Sequence, residues 1–407
     1  MSNRLLAWER VRSKSNGAEG RFPEVDGLRA IAVSLVLLDH FFSYAVPLEF
    51  IRRVTGFGWV GVDLFFVISG FLIGGILLGQ REATNYYRIF YTRRFFRIIP
   101  LYLVVLAPAL LIVTLGLQKH LEGHSLGNQS GWVMLLYLCF MQNLGGGFLF
   151  VTPNYLGAMW SLAVEEQFYL LLPPVVRRWQ AGRLLKVIVI AIVAAPLLRV
   201  TLFLLLPNDP LRAGMASYGL LPCRWDSLLL GVLIAYVVRT PWMLARLEMR
   251  TGQLRAAWVI LALGMIAMTL SGFKKHHPLI ATVGYTWIAG FFTLTLLVAR
   301  LNPSGCFFRW LSSPLLRPVA TVSYGLYLLQ GPMLALKELV VRRLGFVEVG
   351  WSLTAMNVIA LAATGLAATI SWKFFESHLV RIGHRNSYLK PAREHVTQEL
   401  SEATTTR

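Results

Sequence analysis

The sequence has 407 residues, of which 56% are hydrophobic and 14% charged, and its formal net charge is +19. Soluble domains carry about 25% charged residues, so this balance excludes an ordinary soluble domain and places the chain in the membrane class. The basic excess sits in short segments between apolar runs, and no nucleic-acid motif with interleaved aromatics is present. The charge therefore reads as topological bias and contact with anionic headgroups of a lipid bilayer, and no nucleic-acid partner is expected. Cys139, Cys223 and Cys306 are far apart, with no CxxC and no His/Cys cluster at metal-ligand spacing, so neither a disulfide nor a metal is expected.

In chain order, residues 1–27 are polar, and no small-residue cleavage site follows the first apolar run, so that run is expected to stay as a membrane helix. Stretches of roughly 16 to 23 mostly apolar residues suit helices that cross a core of about 30 Å. Ten are read, near 28–46, 57–78, 99–117, 155–175, 184–206, 223–238, 256–271, 279–300, 319–339 and 351–373. Segment 131–144 is too short for a crossing and reads as a partial or re-entrant helix. With the N-terminus inside, most Lys and Arg fall on the cytoplasmic side, including the basic loop 80–98 with Arg81, Arg88, Arg93, Arg94 and Arg97. The expectation is an all-α, polytopic membrane bundle of about ten transmembrane helices with both termini cytoplasmic. Residues 1–27 form a cytoplasmic segment, 28–375 the membrane domain and 376–407 a polar, partly disordered cytoplasmic tail. No repeat of 20 to 50 residues and no attached soluble domain is visible.

The first apolar run carries the main site candidates. Arg29 stands at its mouth and the pair Asp39-His40 follows inside it, His40 being the one histidine within a long hydrophobic run. Ionisable groups at membrane depth are costly and read by default as functional. Arg29 and His40 are eleven residues apart, which returns them to nearly one face about 16 Å apart along a helix. A cation at an entrance and a titratable base further in suit an anionic substrate. Asp39 projects about 100° away from His40, so it cannot orient the ring as a triad carboxylate would. A buried histidine that only packs two helices is the plainer alternative.

Arg94 and Arg97, three apart, face the same way and together with Arg29 could clamp a pyrophosphate; an ordinary positive-inside anchor is the alternative. Glu165 and Glu166 in Trp160-Ser161-Leu162-Ala163-Val164-Glu165-Glu166 must find partners or stay protonated, as a carboxyl that assists His40, as a partner for the arginines, or as a structural ion pair. Further polar candidates are Asp63, Ser161, Arg224, Asp226, Ser323, Tyr324 and Gln330, with Arg224 and Asp226 able to satisfy each other or a substrate hydroxyl. The glycines Gly56, Gly58, Gly61, Gly70, Gly74 and Gly75 read as close helix packing, since no GxxxxGK[ST] phosphate loop is present.

Five of these segments occur in one order: Asp26-Gly27-Leu28-Arg29 with His40 eleven residues on; Gly61-Val62-Asp63-Leu64-Phe65-Phe66; Arg94-x-x-Arg97-Ile98-Ile99-Pro100; Trp160-Ser161-Leu162-x-Val164-Glu165-Glu166-x-Phe168-Tyr169; and Ser323-Tyr324-x-Leu326-Tyr327-Leu328. Together they resemble the acyltransferase-3 family of integral membrane acyltransferases, from about Phe22 to Phe375. The resemblance implies O-acylation, usually acetylation, of bacterial surface or secreted carbohydrates in the cytoplasmic (inner) membrane. Acyl-CoA would be the co-substrate and no cofactor would be bound. It also implies that His40 matches the essential histidine and that Arg29, Arg94 and Arg97 match the functional arginines. The family motif in the ninth helix commonly ends in His where this chain has Gln330, which hydrogen-bonds but cannot relay a proton near neutral pH. Some members carry an additional extracytoplasmic SGNH-type domain; none is read here, so a mechanism that needs one implies a separate transferase partner.

The resulting expectation is that Arg29, Arg94 and Arg97 hold the CoA phosphates, that His40 acts as general base or acyl carrier, and that Glu165 or Glu166 positions it. A transporter or flippase that uses the same buried charges as a pathway is the alternative, although no pair of broken helices or inverted repeat supports it. The acceptor stays open among lipopolysaccharide O-antigen, exopolysaccharide, peptidoglycan, lipid-linked oligosaccharide and small metabolites.

Overall fold

The computed structural model describes residues 22–115, 130–145, 149, 152–301, 305–346 and 350–389. Most of the expected cytoplasmic N-terminal segment (1–21) and the end of the expected tail (390–407) lie outside the described residues. Local sequence sets the helix boundaries. Helix α1 (Pro23–Phe42) starts with proline in its first turn, where the missing N–H costs nothing, followed by Glu24 and Asp26 beside the positive end of the helix dipole. Two elements then double back: the short α2 (Glu49–Gly56) and the apolar α3 (Gly61–Gly79). Helix α4 (Tyr86–Thr114) follows, then the nine-residue α5 (Ser130–Leu138), too short to cross a bilayer as its length implied. Next come α6 (Trp160–Arg178), α7 (Ala181–Leu205), α8 (Pro210–Gly219) and α9 (Leu221–Arg239).

The second half continues with α10 (Pro241–Met249), α11 (Thr251–Ser271) and α12 (Tyr285–Leu301), the last entered through a π-helical turn at Ile280–Gly284. The short α13 (Cys306–Leu311), the long α14 (Arg317–Leu344), α15 (Trp351–Ser371) and α16 (Ser377–Gly383) complete it. Gly272 and Gly345 close α11 and α14 in the left-handed conformation that glycine adopts without steric cost.

Eight helical stretches among the described residues are long and apolar enough to cross a membrane. The two long helices that miss that standard are α1, which carries Arg29, Asp39 and His40, and α6, which carries Glu165 and Glu166. They lie inside the bundle. The apolar core forms two clusters, one spanning α1, α4, α6 and α14 and the other α1, α3, α9 and α12; α1 and α3 contribute to both. By contrast the apolar window of α11 buries nothing, and Ile260 and Leu263 point outward, as a lipid-facing helix requires.

Three expectations change. The third helix begins at Tyr86, not near 99, so Arg88, Arg93, Arg94 and Arg97 sit on helix rather than in a loop. Nothing in 86–98 breaks a helix, and helix propensity rather than hydropathy sets that boundary. The first helix ends at Phe42, so His40 lies in its last turn, at the end opposite Arg29, rather than mid-span. Finally, α16 packs on α4, and Asn85 bonds Ser387 and Leu389, so residues 376–389 belong to the fold rather than to a disordered tail.

The closest helix pair is α3 with α9. A Cβ on Gly70 would meet the Leu228 carbonyl oxygen at 1.8 Å, and one on Gly231 the Val67 carbonyl oxygen at 2.1 Å, so both glycines permit backbone contact. Gly231→Ala should therefore lower stability by about 1–3 kcal/mol. In detergent-solubilised thermal unfolding, Gly252→Ala, whose Cβ meets nothing within 4 Å, should melt like the parent.

Candidate active site

His40 opens onto a cavity of about 520 Å³ at the C-terminal end of α1. Its Nδ1 lies 2.9 Å from the Val36 carbonyl oxygen one turn back. A carbonyl only accepts, so Nδ1 carries the proton and Nε2 keeps its lone pair available as base or nucleophile. The helix itself holds the ring; no hydrogen bond joins His40 to Asp39, in keeping with their divergent projection. Asp39 also lines the cavity.

The cavity walls are aromatic and amide-rich. Trp160 and Tyr218 pack with ring centroids 4.3 Å apart, and Trp59 meets Tyr218 edge-on. Gln142, Asn143 and Gln330 complete the polar lining. Asn143 is held by Gln167 and the Gly219 carbonyl, and Gln167 also donates to the Phe140 carbonyl at 2.8 Å, where Phe140 takes a positive φ of 55°. Lys275 and His276, from the loop between α11 and the π-helical turn, face His40 across the space. Burial and the neighbouring Lys275 push the His276 pKa down to about 4, so that ring is neutral at pH 7. Burial also lowers the Lys275 pKa, against the pull of Asp39.

Toward the other end of α1 lies a second polar cluster. Arg29, Arg94 and Arg97 are half-buried neighbours in electrostatic range of one another. Arg94 lies 5.9 Å from the Tyr169 ring, and Arg97 5.3 Å from the Trp372 ring and 5.9 Å from that of Tyr324. No carboxylate among the described residues is within ion-pairing distance of these three guanidiniums, although Glu165, Glu166 and Glu376 are nearby. Glu165 accepts from Ser69 at 3.0 Å and from Tyr169 at 2.9 Å, while Glu166 Oε1 is buried without a partner.

Between the two polar regions stands a packed layer. Val33 and Val36, on the face of α1 that links Arg29 to His40, are fully buried. Tyr327, on the cavity side, donates to the Ala158 carbonyl at 2.9 Å and pairs with Ser161 at 2.6 Å, with Phe65 edge-on to its ring. Among the described residues, none of Arg29, Arg94, Arg97, Glu165 and Glu166 lines the cavity. The expectation that Glu165 or Glu166 touches His40 is therefore corrected. The rise of α6 carries both carboxylates past Ser161 into the arginine cluster.

An acyltransferase domain matches residues 22–374. The chain belongs to the acyltransferase-3 family. It is 29% identical over 385 residues to the peptidoglycan O-acetyltransferase OatA of Listeria monocytogenes, covering 90% of this chain and 57% of that protein. It is 27% identical to the O-acetyltransferase OatA of Staphylococcus aureus, with 89% and 58% covered. It is 28% identical to the putative peptidoglycan O-acetyltransferase YrhL of Bacillus subtilis, with 89% and 56% covered. The chain thus spans under three fifths of the length of these relatives. No solved structure matches it.

Several polar candidates of this acyltransferase-3 chain prove to be paired in the core. Arg224 pairs with Asp63, not with Asp226, at 2.6 Å, and both are fully buried. Ser227 adds a bond to Asp63 at 3.0 Å, and the Tyr285 ring lies 4.1 Å from the Arg224 guanidinium. Asp226 pairs with Arg199 at 3.0 Å and accepts from Thr286 at 2.7 Å. None of the four charged groups reaches the cavity, but Arg224 stacks behind the Tyr218 wall at 5.3 Å. Ser323 bonds the Ala320 carbonyl within its own helix, and Tyr324 bonds the Ile98 carbonyl beside the arginines. Gln330 lines the cavity as expected.

The sequence reading passed over Lys275 and His276. The available signal was charge placement: Lys274-Lys275 falls on the side opposite the basic loops, against the bias that sets topology. Arg224→Met should leave Asp63 charged and unpaired and cost about 3–5 kcal/mol, whereas Arg224→Met with Asp63→Leu should recover most of that loss. Unfolding of the purified variants in detergent measures both.

Proposed function

We propose that this chain is a membrane O-acetyltransferase that moves an acetyl group from acetyl-CoA to a hydroxyl of a cell-envelope carbohydrate. The relatives named for peptidoglycan O-acetylation favour a cell-wall glycan as acceptor. The observation that carries the reading is a histidine with a free Nε2 in an aromatic, amide-lined cavity, on the same helix as Arg29, which with Arg94 and Arg97 has no carboxylate within ion-pairing distance among the described residues.

In this reading Arg29, Arg94 and Arg97 take the anionic part of the donor at the cytoplasmic end, and the acceptor enters the cavity from the other side of a bacterial inner membrane. Charge-assisted bonds from unpaired guanidiniums suit phosphates. The acyl end then has to cover the ~16 Å rise to His40, which requires the Tyr327–Ser161 layer to part. His40 Nε2 takes the acceptor proton, the hydroxyl oxygen attacks the thioester carbonyl, the C–S bond breaks, and the proton passes to the CoA sulfur. Attack by Nε2 itself, through an acyl-imidazole that the hydroxyl then cleaves, balances equally well. The aromatic rings offer faces for sugar C–H groups.

His40→Ala should abolish CoA release from acetyl-CoA while the protein still folds, because the ring bonds only its own helix; turnover at the parent rate would refute the role. Arg94→Ala with Arg97→Ala should raise the Michaelis constant for acetyl-CoA about tenfold to a hundredfold, and that for the acceptor much less. Movement of glycan across vesicles without CoA release would favour the transport reading instead.

A further inference from the structure

Acyl transfer at His40 would create two charges at once. Attack on a thioester carbonyl puts negative charge on the carbonyl oxygen, and the proton taken by Nε2 leaves positive charge on the imidazole. Around His40 the cavity holds one side chain suited to each. Asp39 lines it from α1, and Lys275 lines it from the loop between α11 and the π-helical turn. The two are in electrostatic range of each other and of His40, yet among the described residues no carboxylate comes within ion-pairing distance of the Lys275 ammonium. Pairing would cancel their charges. Held apart, each keeps its field for a charge that develops between them.

The loop holds Lys275 in place. Its carbonyl accepts from the hydroxyl of the buried Tyr285 at 2.5 Å, the His277 N–H returns to the Lys274 carbonyl at 2.9 Å, and the His277 ring stacks on Phe273 with centroids 4.0 Å apart. His276 packs so closely on α8 that a Cβ on Gly214 would meet its carbonyl oxygen at 2.7 Å. The Lys275 ammonium lies 4.9 Å from the Tyr218 ring centroid, and Lys275 is half-buried where the adjacent Lys274 is exposed. A donor fixed in this way needs no reorganisation when charge appears, which is the condition for strong oxyanion stabilisation. Of the other titratable groups around this space, His276 is neutral at pH 7, and Glu338 and Arg342 on α14 pair with each other at 3.8 Å.

We propose that Lys275 is a catalytic residue of the acyl transfer, its ammonium donating a hydrogen bond to the oxyanion formed when the acceptor hydroxyl attacks the thioester carbonyl. The new C–O bond forms as the C=O π pair moves onto oxygen; when that pair returns, the C–S bond breaks and the sulfur takes the proton held by His40. Lys275 keeps its own protons throughout. This rests on the acyl-transfer reading of the same site.

The test follows CoA release from acetyl-CoA by the detergent-solubilised full chain, against pH, with a soluble N-acetylhexosamine oligomer as acceptor. Lys275→Met should lower kcat about a hundredfold to a thousandfold, the loss on removal of one oxyanion donor, and shift either Michaelis constant by no more than about threefold. Lys275→Arg should restore about tenfold of that loss, short of the parent because its planar fork is shaped differently. Lys274→Met should turn over like the parent. Burial lowers the Lys275 pKa, so parent activity should fall as pH rises through that lowered value, and the fall should vanish in Lys275→Arg, whose guanidinium stays charged. That comparison decides the matter if Lys275→Met does not fold. A kcat within about threefold of the parent in folded Lys275→Met, a loss confined to the acceptor Michaelis constant, or identical alkaline profiles for the parent and Lys275→Arg would overturn the inference and leave the acetyl-transfer reading in place. A parent protein that releases no CoA would overturn both.

Discussion

Helix α1 is unbroken α-helix from Pro23 to Phe42, so the hydrogen bond from each N–H to the carbonyl four residues back holds its rise constant. That constraint fixes α1 as a ruler. It sets Arg29 and His40 on one face about 16 Å apart, and it turns the same hydrogen-bond ladder into the device that orients the catalytic candidate. The Val36 carbonyl takes the Nδ1 proton of His40, so no carboxylate is needed to choose the tautomer. Every other part of the site is arranged around those two ends.

The molecule divides its buried charges into two kinds. Asp63–Arg224 and Asp226–Arg199 are ion-paired with further hydrogen bonds and do not line the His40 cavity, and Arg224 backs the Tyr218 wall. Arg29, Arg94, Arg97 and Lys275 have no such partner among the described residues and are half-buried. Pairing balances a buried charge within the scaffold, whereas a cation beside a space keeps its field for a ligand. That contrast separates scaffold from site more sharply than the mere presence of charge in an apolar helix.

The packed layer of Val33, Val36, Tyr327 and Ser161 keeps the two polar ends apart. In the proposed reaction such a barrier is useful, because an open water path between a thioester and a histidine would favour hydrolysis over transfer. Its hydroxyl pair is joined by one bond between the two side chains, and each hydroxyl also bonds the Ala158 carbonyl.

Much of this protein was legible in the chain. Hydropathy located the long helices, the glycines of the second helix pointed to close packing without naming its partner, and the Arg29–His40 interval followed from helix geometry, because each depends only on residues close in sequence. Pairing was not legible. Whether Arg224 meets Asp226 two residues away or Asp63 on another helix depends on how helices rotate against each other, and so does the placement of Glu165 with arginines rather than with His40. The end of α1 and the start of α4 were misjudged because apolar composition marks membrane depth, whereas helix continuity depends on the absence of a breaker. Lys275 became a cavity residue only through folding, which brings a short polar loop opposite the end of α1. Sequence thus determined the fold class and the family; tertiary packing alone decided which charges are paired and which face a cavity, because that depends on contacts between residues on different helices.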